Sequence, residues 1–96
     1  MNQAEESAFA ITADAIVAEP RDSKRFVELV TPDIPDLVKE AIIDALVNNS
    51  DRPDDEMVEA IIETLRANKE PDVRAAASIL EWARSNAAYH RQGTSP

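Results

Sequence analysis

Cysteine is missing from this 96-residue chain altogether, and glycine appears once, as Gly93. Without cysteine there are no disulfides, no thiolate metal ligands and no cysteine nucleophile, and the composition leans toward a reducing, cytoplasmic setting. Without glycine before residue 93, tight hairpins lose their usual source of positive-φ residues and phosphates lose the bare backbone that cradles them. That disfavours β-rich folds, P-loops and dinucleotide folds. Aromatic residues number four (two Phe, one Trp, one Tyr), so a core must be built from Ile, Leu, Val and Ala, a palette suited to helices. No apolar run approaches membrane-spanning length, and the N-terminus has neither the basic region nor the apolar block of a signal peptide, so a soluble protein with no membrane partner is expected. Basic residues are also scarce, ten against nineteen acids, for a net charge of -9. Such a field repels nucleic acid and anionic membranes and attracts basic protein surfaces, so direct nucleic-acid binding is not expected.

What is present fits one small domain. Hydrophobic residues make up 44% and charged residues 30% of the chain, ordinary globular values. A chain of this length buries about 65% of the surface its unfolded form exposes. Helical spacing of Phe9, Ala13, Ile16 and Val17 predicts a first helix over about residues 4–18, with Glu5 and Glu6 in its first turn and Pro20 ending it. Asp22 or Ser23 can cap a shorter second helix carrying Phe26, Val27 and Val30, stopped by Pro32. Asp33 can cap a third, with Pro35 in its first turn and a stripe of Leu37, Val38, Ala41, Ile42, Ala45 and Leu46. A fourth starts near Pro53 and carries Met57, Val58, Ile61, Ile62 and Leu65. The fifth begins at Pro71, with Val73, Ala76, Ala77, Leu80 and Ala83 inward. The expected fold is all-α: five short antiparallel helices in one domain over residues 1–88, followed by a disordered tail over 89–96.

Pro35-Asp36, Pro53-Asp54 and Pro71-Asp72 recur every 18 residues, one helix plus one turn. Doubling the interval gives a better period. Phe26, Val27 and Val30 lie 35 residues before Ile61, Ile62 and Leu65, and Val38, Lys39, Ala41 and Ile42 lie 35 before Val73, Arg74, Ala76 and Ala77. The run "AIIETLRANKEPDVRAAASIL", through Leu65, Pro71, Asp72, Val73, Arg74, Ala76, Ala77 and Leu80, resembles a HEAT-type repeat unit. The earlier run "RFVELVTPDIPDLVKEAIIDAL" matches through Val30, Pro35, Val38, Lys39, Ala41 and Ala45, with lysine where arginine is usual. The resemblance covers about residues 23–86 and implies a minimal stack of two helical hairpins with the first helix as a cap. Periodicity alone gives a compact five-helix bundle, and both architectures stay open.

Candidate chemistry is sparse. Asp51, Asp54, Asp55, Glu56, Glu59 and Glu63 form an acidic strip, but "DRPDDEMVE" lacks the alternating acids and central glycine of a calcium loop, so no metal site is assigned. Helix-dipole stabilisation accounts for Asp54, Asp55 and Glu56, and the strip as a whole could also dock a basic partner. His90 is the single histidine and has no evident catalytic partner, and no nucleophile-elbow glycines surround any serine. Neither an enzyme nor a bound cofactor is expected. Arg21, Lys24 and Arg25 form the one basic cluster, read as a solvated helix start.

The fifth helix carries a second row, Ala75, Ile79, Trp82 and Tyr89. Either this helix is buried on both sides, or the row is left for a partner, since Trp and Tyr are enriched in binding hot spots. The HEAT-type resemblance implies the second alternative and sets Ile79 and Trp82 beside Asp44 and Val47, their counterparts 35 residues upstream. The leading expectation is a small acidic adaptor or regulator that binds another protein, one with a basic or mixed apolar and basic surface, through this row and an acidic rim. Pairing with its own copy as a homodimer is a variant of that reading. The alternative is an acidic inhibitor that mimics nucleic acid, as some phage-encoded inhibitors do, and blocks a basic nucleic-acid-binding surface on its target.

Overall fold

The computed structural model describes residues 3–29 and 34–93, with side chains over 7–29 and 34–86. Five α-helices account for the described chain: α1 (Gln3–Ala18), α2 (Ser23–Leu29), α3 (Asp36–Asn48), α4 (Asp54–Arg66) and α5 (Pro71–Gly93). No strand occurs among the described residues, and the chain is an all-α bundle. Its radius of gyration is 12.7 Å, against about 12.5 Å for a single globule of this length, so the helices gather around one centre.

The turns follow from the prolines. Pro35 and Pro53 are the N-caps of α3 and α4, with ψ of 137° and 153°, extended backbone from which the Lys39 and Met57 amides donate to their carbonyls. Pro71 instead is the first residue of α5, where a missing N–H costs nothing, and Glu70 supplies the capping carbonyl to Arg74. The three Pro-Asp pairs therefore share a role but not a register. Pro35 lies just outside α3 rather than in its first turn, because its ψ of 137° is extended rather than helical and Asp36 is the first residue of the helix. Asp33, Val30 and Pro32 lie outside the described residues.

Ser23 also differs from expectation. It is the first residue of α2, and its hydroxyl turns back to the Glu19 and Ala15 carbonyls of the α1 terminus. It closes the preceding helix rather than capping its own. Thr12, buried in α1, likewise satisfies its hydroxyl within the helix by donating to the Ala8 carbonyl at 2.8 Å.

One continuous core joins all five helices. It runs from Phe9, Ala13 and Ile16 through Val27, Val38 and Ile42 to Met57, Ile61 and Leu65, and ends on Val73, Ala76, Ala77, Leu80 and Ala83. α5 packs along α1 and α4 and also touches α3, so the last helix is central and the first helix closes the bundle against it. The 35-residue recurrence is visible in burial for Val27 and Ile62, Val38 and Val73, and Ile42 and Ala77, all buried, but Phe26 and Ala41 are only half-buried where Ile61 and Ala76 are buried. Leu37 is a correction. Expected in the stripe of α3, it is 49% exposed, because Val38, Ile42, Ala45 and Leu46 define the inward face and Leu37 stands one residue around from it. Ile34, just before α3, is buried instead. At the other end α5 runs to Gly93, into the segment 89–96 expected as a tail; residues 94–96 lie outside the described residues.

These burials set the scale of two substitutions. Leu80→Ala, at 0% exposure, should cost about 2–5 kcal/mol in urea unfolding, a large part of the stability of so small a domain. Leu37→Ala should stay within about 1 kcal/mol.

Candidate functional site

The second row of α5 divides in two. Ile79 is half-buried and packs against the core, anchoring the row. Ala75 is exposed, and Trp82 leaves 59% of its surface in water. Trp82 is not a core residue, because the inward arc of α5 is already filled by Ala76, Ala77, Leu80 and Ala83. Ser78, Glu81, Arg84 and Ser85 surround it in sequence and are exposed as well, so a large aromatic ring stands in a polar setting. Glu81 is held by Arg66 of α4, an exposed ion pair that ties the two helices beside Trp82. The side chain of Tyr89 lies outside the described residues.

Val47 is the position of α3 that corresponds to Trp82, and it too is open, at 51% exposure. It lines a cleft of about 270 Å³ whose walls also include Pro20, Arg21, Lys24, Leu46 and Met57. Trp82 and Ile79 do not line that cleft. Asp44 is exposed on α3.

The acidic strip also divides. Glu56, Glu59 and Glu63 line one shallow hollow with Arg52 and Ala60, as positions one turn apart on α4 must. Asp54 and Asp55 line a different one with Val17, Ala18, Arg21 and Pro53. Asp51 lines neither hollow. All six acids are exposed, and Asp54 alone of them makes an ion pair among the described residues, with Arg21. No group of three or more potential metal-ligating side chains comes together among the described residues. No described helix is long and apolar enough to cross a membrane.

Arg21 has a role that the sequence did not reveal. Its Nε donates to Asp54 Oδ1 at 3.1 Å, Nη1 to the Ser50 carbonyl at 3.0 Å and Nη2 to the Arg52 carbonyl at 2.9 Å. The guanidinium fork thus fastens the α1–α2 turn to the α3–α4 turn and satisfies two loop carbonyls. A basic residue in a cluster read as a solvated helix start is in fact a cross-brace, and its partners lie 29 to 33 residues away, beyond the reach of local pattern. Arg74 does similar work nearer home, with Nη1 donating to the Asn68 and Lys69 carbonyls of the α4–α5 turn. Lys39, its counterpart 35 residues upstream, stays within its own helix, 3.8 Å from Asp36.

No protein-family model, curated protein or solved structure matches the chain.

The exposure of Trp82 gives a direct stability test. Trp82→Ala should change unfolding free energy by less than about 1 kcal/mol, whereas a core tryptophan would cost about 3–5 kcal/mol. Arg21→Lys should cost about 1 kcal/mol, because an ammonium cannot reach all three acceptors, while Lys24→Ala should be neutral within about 0.5 kcal/mol in the same denaturation series.

Proposed function

We propose that this protein is a non-enzymatic adaptor or regulator that works by binding another protein through the outer face of α5. The observation that carries this reading is the 59% exposure of Trp82 on a helix whose inner arc is already fully packed. A tryptophan left in water is costly to a monomer and valuable to an interface, where truncating such a residue removes a large share of affinity. Ala75 allows close approach of a partner backbone, and Ile79, fixed by its core contacts, keeps the row rigid. The acids on the neighbouring helix supply a rim that favours a partner of mixed apolar and basic character. On this reading α2–α3 and α4–α5 are two HEAT-like hairpins, and the protein works in the cytoplasm without a cofactor.

A second reading has its own observation. Glu56, Glu59 and Glu63 are exposed on one hollow of α4, and none makes an ion pair among the described residues. Three such charges could occupy a basic nucleic-acid-binding surface on a target as a decoy. It ranks second because Arg52 lines the same hollow and Asp54 and Asp55 fall outside it.

Affinity capture with wild type, Trp82→Glu and Glu59→Lys/Glu63→Lys, each at low and high salt, separates the two. Both altered sites are exposed, so the variants should keep the wild-type circular dichroism. Loss of a captured protein with Trp82→Glu at both salt levels is expected. Capture that survives Trp82→Glu but disappears with the lysine pair and in high salt would overturn the adaptor reading in favour of the decoy.

A further inference from the structure

The cleft beside Val47 has the make-up of a receptor for one aromatic ring. Its floor is apolar and buried, formed by Pro20, Leu46 and Met57, and the exposed Val47 forms a wall. At about 270 Å³ it falls short of the roughly 300–1,000 Å³ of small-molecule pockets, a size suited to a side chain delivered by a larger partner. Arg21 closes another side. Three of its donors are committed to Asp54, Ser50 and Arg52, so its guanidinium is held in place before any ligand arrives. A guanidinium fixed through its edge offers its face to a π-system, and the Met57 thioether is a second group that favours aromatic contact. Ser50 adds a polar, exposed edge, and Lys24 completes the lining. The lysine is exposed and makes no ion pair among the described residues, so it favours a carboxylate next to the ring.

The chain carries a matching ligand of its own. Trp82 is an exposed aromatic that does not line this cleft, and it follows Glu81, whose side chain is 56% exposed even while bridged to Arg66. We propose that the cleft of one copy receives Trp82 of a second copy, with the indole against Leu46, Val47 and Met57 and over Arg21, and Glu81 facing Lys24. Ring-sized floor, fixed cation and free ammonium on one surface answer an aromatic and its neighbouring acid on another. The proposal rests on the same open Trp82 as the adaptor reading and adds a regulation to it: partner and second copy compete for one side chain. The net charge of -9 on each copy opposes the encounter at long range, so self-association strengthens as salt shortens the screening length from about 10 Å at 0.1 M to about 3 Å at 1 M.

Sedimentation velocity of the full chain over a concentration series, at low and high salt, tests this with two variants at exposed positions. Trp82→Ala keeps the cleft and lacks the ring; Val47→Glu keeps the ring and places an acid in the cleft. Wild type should self-associate, more strongly in high salt, and each variant alone should associate roughly thirtyfold more weakly, the scale of a hot-spot truncation. Mixing the two variants should restore association, since one supplies the cleft and the other the ring. Wild type that stays monomeric throughout, association indifferent to either substitution, or a mixture no stronger than its components would overturn the proposal. A monomeric wild type that still captures a partner through Trp82 would leave the adaptor reading intact while ending this one.

Discussion

The bundle depends on the alanine-rich inner arc of α5. Ala76, Ala77 and Ala83, with Val73 before them and Leu80 among them, let this helix lie close to α1 and α4 at once and still touch α3. A chain with four aromatics has little large apolar surface to bury, and close approach of helices through small side chains recovers contact area that bulky residues would otherwise supply. Because α5 takes neighbours on several sides, its remaining arc decides what the molecule shows to others. Trp82 stands on that arc, and its exposure follows from the inner positions being already taken.

Two devices position the helices around α5. Proline interrupts the chain before α3 and α4 as a cap and enters α5 as its first residue, so each helix starts at a defined point without a glycine. Arginine then pins the turns. Arg21 reaches from the α1–α2 turn to two carbonyls and a carboxylate of the α3–α4 turn, and Arg74 holds the α4–α5 turn through the Asn68 and Lys69 carbonyls. In holding its turns together, Arg21 also becomes one wall of the apolar cleft, so a structural brace and a candidate recognition surface are the same side chain.

Helix existence was legible because apolar spacing is local. Phe9, Ala13 and Ile16 of α1, Met57, Val58, Ile61, Ile62 and Leu65 of α4, and Val73, Ala76, Ala77, Leu80 and Ala83 of α5 are buried as their periodicity implied. What periodicity could not resolve was the edge of each apolar arc: Leu37 and Leu46 both belong to the stripe of α3, yet one is exposed and the other buried, since neighbouring helices cover only part of that arc. The inner row of α5 was assigned inward from the sequence and is buried, but whether the outer row was buried as well depended on where α1 and α4 pack. The Arg21 brace and the cleft it borders were out of reach for the same reason. They join residues from turns that meet only in the folded chain.

The sole tryptophan of the chain makes one measurement decisive. Acrylamide quenching of native Trp82 fluorescence, at a concentration low enough to keep the protein monomeric, reports the openness of the α5 face without a label and with a neutral quencher that the acidic surface does not repel. Quenching nearly as efficient as that of the urea-unfolded chain is the expected result. A blue-shifted emission that resists acrylamide until the protein unfolds would mean that Trp82 is buried, and would contradict an outer face of α5 open to partners.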